Sequence, residues 1–184
     1  MKQKVALVYD RVNKWGGAER VLLTLHEMFP EAPLYTSVYN PETAKWAEVF
    51  PKVYTSFLQN IPFAKTHHEW FALLMPLAFE QFNFSQYDLV ISVTSEFAKN
   101  IITSVNTKYI CYCLTPTRYL WSGYDVYFRN RYFKSIATPI INYLKKIDKL
   151  GAERPDVMVA ISTEVQRRVK KYYGREAKII FPGC

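Results

Sequence analysis

A chain of 184 residues can bury a full core and most simply forms one domain. Its 49% hydrophobic, 22% charged and 16% aromatic residues exclude a disordered polymer, and no stretch approaches the ~20 apolar residues of a membrane-spanning helix. The formal net charge of +8, from 24 Lys and Arg against 16 Asp and Glu, favours anionic partners: nucleotide phosphates, nucleic acid or acidic lipid.

Residues 2–9 carry Lys2 and Lys4 and then a five-residue apolar run, too short for a signal peptide and fit for a first strand. A glycine turn, Trp15-Gly16-Gly17-Ala18-Glu19-Arg20, opens a helix over 17–29, in which Val21, Leu22, Leu25, Met28 and Phe29 share one face and Pro30 is the stop. Adjacent glycines let the backbone take φ > 0 and let another group approach it. The first N–H groups of the helix lack partners, which suits a phosphate. A Gly-Gly pair is also an ordinary turn, so this local signal is weak by itself. Leu34 to Tyr39 reads as a second strand, 42–49 as a short helix and 52–56 as a third strand. The apolar segment 65–82, with Trp70, Phe71, Leu73, Leu74, Leu77 and Phe79, reads as a helix bent or split at Pro76. Asp88 to Val93 is a buried run of the parallel-sheet kind, after which Thr94 or Ser95 caps a helix reaching about Ile101. Residues 108–114 form the next strand, 129–150 a long basic helix, 156–161 a strand, 162–173 a capped helix ended by Gly174, and 178–181 a last strand. This alternation predicts an α/β fold: an open, mostly parallel sheet with helices on both faces.

Ligands of such sheets bind in the crevice outside the carboxyl ends of the strands. Residues 10–17, 94–97, 115–121 and 162–164 fall there, and all are rich in hydrogen-bonding groups. Arg118 follows Pro116 at a strand end, where a guanidinium suits phosphate or carboxylate, or a surface ion pair. Tyr119 and Trp121 suit stacking on a sugar or base, or packing against the sheet. Asp10 closes the first strand and suits hydroxyl recognition, or a turn or cap.

Other chemistries lack their residues. His26 lies within the first helix and His67 and His68 are adjacent, which does not suit zinc. Cys111 and Cys113 face one side of a strand as core cysteines, and with Cys184 they cannot all pair, so a reduced, cytoplasmic compartment is expected. The five aspartates form no Asp-x-Asp clamp, and no Gly-x-Ser-x-Gly, Gly-x-x-x-x-Gly-Lys or Gly-x-Gly-x-x-Gly motif occurs. The basic clusters Lys145-Lys146 with Lys149, and Arg167-Arg168 with Lys170-Lys171, read as solvated faces or as surfaces for acidic lipid. No nucleic-acid motif accompanies the charge.

Taken in order, Gly16-Gly17-Ala18-Glu19-Arg20-Val21, Tyr87-Asp88-Leu89-Val90-Ile91-Ser92, Cys113-Leu114-Thr115-Pro116-Thr117-Arg118-Tyr119-Leu120-Trp121, and Ala160-Ile161-Ser162 with Tyr172-Tyr173-Gly174 span nearly the whole chain. As a set they resemble the N-terminal half of the GT-B retaining glycosyltransferases of family 4. The resemblance implies a Rossmann-like acceptor-side domain over 1–181, with 182–184 starting the interdomain linker. It implies sugar transfer from a nucleotide-sugar to an acceptor hydroxyl with retention, without metal or other cofactor. On this sequence the donor-diphosphate loop would be the backbone of Gly16 and Gly17. The candidate acceptor or sugar contacts are Asp10, Glu19, Thr94, Thr115, Arg118, Tyr119 and Ser162. The second domain of the family grips the nucleotide with a Glu-x7-Glu motif, which Glu153 and Glu164 are wrongly spaced to supply, so the donor half is expected to be absent here. Leu114 stands where relatives often have His. The implied partners are a nucleotide-sugar held through the missing domain, a lipid-linked or saccharide acceptor of surface-polysaccharide synthesis, and an acidic membrane face, with nucleic acid disfavoured. The competing expectation is a stand-alone binding domain acting with a separate chain.

Overall fold

Strand β1 (Val5–Tyr9) is buried along its whole length, as a central strand covered on both faces must be. Its side chains alternate between two cores: Ala6 and Val8 point into one, Val5, Leu7 and Tyr9 into the other. The computed structural model describes residues 3–64, 71–123 and 131–182, the last stretch with side chains from Thr138 onward. His67, His68, Trp70, residues 129–130 and Cys184 lie outside the described residues.

From β1 the chain runs through helix α1 (Gly17–Met28) to β2 (Leu34–Thr36) and β3 (Val53–Thr55). It returns through α2 (Met75–Glu80) to β4 (Leu89–Thr94), and continues through β5 (Lys108–Cys113), α3 (Arg131–Glu153), β6 (Val157–Ala160) and α4 (Thr163–Tyr173) to β7 (Lys178–Ile179). The seven strands are ordered β3-β2-β1-β4-β5-β6-β7, and every pair is parallel. The expected α/β sheet is therefore observed. Its direction of growth reverses between β1 and β4, which register Val5 against Leu89 and Tyr9 against Val93. Helices α2, α3 and α4 pack on one face, through Phe79, Leu144 and Val169 among others. On the other, α1 packs with Val21 and Leu22, beside a 3-10 segment at Lys45–Val49.

Three expectations change in form. The second strand is regular only from Leu34 to Thr36: Ser37 N turns to Asp10 O, and parallel pairing resumes as a single bridge at Tyr39 opposite Val12, through Val12 N to Val38 O and Asn40 N to Val12 O. Of the helix expected over 65–82, residues 65–70 lie outside the described residues, and Pro76 falls near the start of the described helix rather than midway along it. It sits in the first turn of α2, where its missing N–H costs nothing. The helix expected to run from Thr94 or Ser95 to Ile101 is only a 3-10 turn, Ala98–Asn100. Its preceding N–H groups are taken by a carboxylate from another strand.

Candidate functional site

That carboxylate is Asp10, 1% exposed, at the reversal point of the sheet. Oδ1 accepts from Thr94 Oγ1 at 2.9 Å and Ala98 N at 2.8 Å. Oδ2 accepts from Ser95 N at 2.6 Å and Glu96 N at 3.0 Å, with Ser95 Oγ at 3.3 Å. Asp10 thus caps the loop after β4 from the end of β1, satisfying donors that would otherwise be buried unpaired. Thr94 is likewise buried and committed to Asp10. Arg11 Nη1 lies 2.5 Å from Glu96 Oε1, an ion pair that joins the same two loops. Burial works against the Arg11 charge, but Glu96 and then Asp10 outweigh it, so its pKa is raised.

The loop between β1 and α1 is held from beneath. Thr43 Oγ1 donates to Asn13 O at 2.8 Å, and Trp46 Nε1 donates to Lys14 O at 2.9 Å. Neither Gly16 nor Gly17 uses the left-handed conformation the sequence allowed; among the described residues only Gly174, at φ 72°, and Phe63 have positive φ. Gly16 is the tighter of the two positions. A Cβ there would lie 3.0 Å from Glu19 Oε2, whereas one at Gly17 would meet nothing within 4 Å. Glu19 is 2% exposed and accepts from Tyr9 OH at 2.9 Å, so its carboxylate is turned into the fold. Burial, then the Glu19 charge, holds the Tyr9 phenol well above its ordinary pKa. The open side of the turn is backbone: Gly17 is exposed at the N-terminus of α1, and the N-cap Gly16 has no side chain to occupy the helix donors.

Beyond β5, Thr115 is buried, with Oγ1 3.1 Å from Pro116 O, and Tyr119 is half-buried against the core. Arg118 is exposed and its guanidinium has no hydrogen-bond or ion-pair partner among the described residues. Ser162 caps α4, accepting from Val165 N at 3.3 Å. Asp10, Gly16, Gly17, Thr94, Thr115, Arg118 and Ser162 therefore all lie along the C-terminal edge of the sheet. Of these, Arg118 and the glycine turn present groups without a hydrogen-bond or ion-pair partner among the described residues.

Sequence reasoning missed the group that fixes this edge. Asp148, on α3, is fully buried and accepts four hydrogen bonds. Lys99 Nζ at 2.6 Å and Thr117 Oγ1 at 2.7 Å reach Oδ1, while Trp121 Nε1 at 2.7 Å and Tyr173 OH at 2.8 Å reach Oδ2. Burial lowers the pKa of the Lys99 ammonium, but Asp148 overrides that and the net shift is upward; burial, then Asp148, raises the Tyr173 phenol. Lys99 Nζ also donates to Glu96 O, closing the network onto the Asp10 loop. Trp121 is consumed by this packing, stacked on Tyr172 at 5.2 Å with Lys145 Nζ over its ring, and so is unavailable as a ligand platform. The signal was present: Asp148 falls in register with Ile141, Leu144 and Ala152 on the apolar face of α3.

Among the described residues no cluster of three or more His, Cys, Asp or Glu side chains is arranged to hold a metal ion. Burial pushes the Cys111 thiol up to about 11 and raises Cys113 as well, so both are neutral core groups. No helix of the described residues is long and apolar enough to cross a membrane.

No protein-family model matches the chain, and no curated protein matches it by sequence. Among solved structures it is similar to Anabaena Alr3699/HepE in complex with UDP, at 16% identity and a TM-score of 0.56, over 98% of this chain and 44% of that one. It is similar also to the same protein with UDP and glucose, at 15% identity and a TM-score of 0.58, over 100% of this chain and 45% of that one. The chain spans less than half the length of these structures, and at this identity the likeness is one of fold: the parallel Rossmann-like sheet, shared from end to end of this chain.

Proposed function

We propose that this chain is the acceptor-side half of a retaining glycosyltransferase that moves a sugar from a nucleotide-sugar to an acceptor hydroxyl, with the donor-binding half lying outside residues 1–181. The observation that carries this reading is the free Arg118 guanidinium on the same sheet edge as the open N-terminus of the 12-residue α1. Both present positive charge to a leaving diphosphate, as fixed donors rather than as groups that must reorganise during transfer. A fold neighbour that holds UDP and glucose supports the substrate class, while retention and the metal-free route rest on the resemblance of the four motif stretches. The acceptor in this reading is lipid-linked and the site of action is the inner face of a membrane. Exposed Ile140, Tyr143 and Leu150 lie beside Lys146 and Lys149 on α3, a mixed apolar and basic surface suited to acidic lipid.

The test is a ligand-observed NMR titration with UDP, GDP and their common sugar conjugates, run beside sedimentation with acidic vesicles. Vesicle binding with feeble nucleotide binding is expected. Tight nucleotide binding by these 184 residues alone would overturn the assignment to the acceptor side.

A further inference from the structure

Trp15 immediately precedes the helix-capping Gly16, yet it is 51% exposed. The loop that carries it is not loose. Val12 N donates to Val38 O at 2.9 Å and Asn40 N to Val12 O at 2.8 Å, and the Thr43 and Trp46 side chains tie down the carbonyls of Asn13 and Lys14. Trp46 is itself wedged against Tyr9 and Phe50, at 6.5 and 6.3 Å. Trp15 meets Trp46 at 6.3 Å with the rings inclined by 65°, and among the described residues no ring is stacked on it and no cation lies over it. The fold thus fixes the loop from beneath and leaves half of the indole in water, next in sequence to exposed Lys14, with Arg20, five residues on in α1, exposed as well.

We infer that Trp15 is a carbohydrate-stacking platform of the acceptor site. A pyranose has an apolar C–H face to lie on an indole and a rim of hydroxyls, or a neighbouring phosphate, for the lysine and arginine to reach. A ring carried on a loop already held in place loses less freedom when the sugar binds, which favours affinity in a shallow site. The inference rests on the acceptor-side reading and names its ligand class: an acceptor that ends in a pyranose, rather than a bare lipid alcohol or a peptide hydroxyl.

The experiment follows the indole N–H resonances of the 15N-labelled chain. Trp15 is assigned through Trp15→Phe, and the chain is titrated separately with methyl β-D-glucopyranoside, methyl β-D-galactopyranoside, cellobiose and UDP. At least one saccharide is expected to shift the Trp15 signal. Trp15→Ala is expected to weaken saccharide binding by roughly ten- to thirtyfold, and Trp15→Phe by less, with urea midpoints unchanged. Saccharide binding untouched in Trp15→Ala, a shift of Trp15 by UDP alone, or no shift by any saccharide would each overturn the platform. The wild-type nucleotide and vesicle titrations judge the acceptor-side reading separately. If they come out as expected while Trp15→Ala binds saccharide normally, the platform falls and that reading stands.

Discussion

Replacing Asp148 by Asn keeps the shape of the side chain and removes its charge. Lys99, 1% exposed, then keeps a buried ammonium with no counter-charge. The amide offers one oxygen where the carboxylate served four donors from Lys99, Thr117, Trp121 and Tyr173. Removing one partner of a buried pair costs about 3–5 kcal/mol, a large share of a domain's total stability. At this chain length that corresponds to a fall in Tm of about 6–20 °C. Lys99→Met alone leaves a buried anion that still has three donors, so its cost should be smaller, about 2–3 kcal/mol. The double variant Lys99→Met/Asp148→Asn removes the stranded charge and should be more stable than Asp148→Asn alone, with a coupling of at least about 1.5 kcal/mol. Urea unfolding followed by far-UV circular dichroism measures all four proteins without relying on Trp121 fluorescence, which the variants themselves disturb. An Asp148→Asn protein within 1 kcal/mol of wild type, or strictly additive losses in the double variant, would refute the idea that this pair pins the site.

Asp10→Ala should cost about 2–4 kcal/mol, because it strands the N–H groups of Ser95 and Ala98 and leaves Glu96 N with Thr94 Oγ1 alone; hydrogen exchange at Ser95 and Ala98 should rise more than at the strand amides of β4. Gly151→Ala places a Cβ 2.5 Å from Asn100 Oδ1 and should destabilise by about 1–3 kcal/mol, whereas Gly17→Ala enters open space and should lie within about 1 kcal/mol of wild type in the same denaturation series. Stability should fall above about pH 10: Lys99, Tyr109 and Tyr173 have raised pKa values and keep protons that the unfolded chain gives up there, each adding about 1.4 kcal/mol per pH unit until the folded value is passed. A flat stability profile from pH 9 to 11 would contradict this. Arg118→Ala should leave the unfolding midpoint within about 0.5 kcal/mol of wild type, since the guanidinium holds nothing in the fold. On the proposed reading, the same variant of the complete enzyme should show kcat/KM lowered by about tenfold or more through the lost charge on the diphosphate, as read in a sugar-transfer assay.

The sheet was legible because a central parallel strand has to be apolar on both faces, and Val5–Tyr9 and Leu89–Val93 are so almost without interruption. Its ends were less so. Whether Ser37 to Tyr39 continue a strand depends on Asp10 and Val12, some 26 residues earlier in the chain, whose carbonyl and amide groups claim their backbone. Thr94 does accept from Glu96 N, at 3.1 Å, but it shares the capping with Asp10. Local sequence offers Thr and Ser, and nothing local reveals that a carboxylate 84 residues away also takes the N–H groups of Ser95, Glu96 and Ala98. Lys99 and Asp148 went unseen for a similar reason, since each looks like a surface charge until both are placed on core-facing positions. The glycine turn was found from its type, but the residue that crowds Gly16 is Glu19, three positions on, and steric room rather than backbone handedness distinguishes it.

The reversal of strand order at β1 also has a history in time. When β1 emerges during synthesis it can pair on one side with β2, but its other edge belongs to β4, which begins 80 residues after β1 ends. At ribosomal speeds that edge waits roughly 4–16 s. Throughout that interval the strand Val-Ala-Leu-Val-Tyr, with no charge to discourage a foreign strand, is open to misassociation. The Asp10 cap closes only once β4 is made, because its donors lie at the end of β4 and just after it. Nascent chains whose emerged part ends between residues 60 and 90 should therefore depend most on chaperones, and those with Ala98 already outside the ribosome much less.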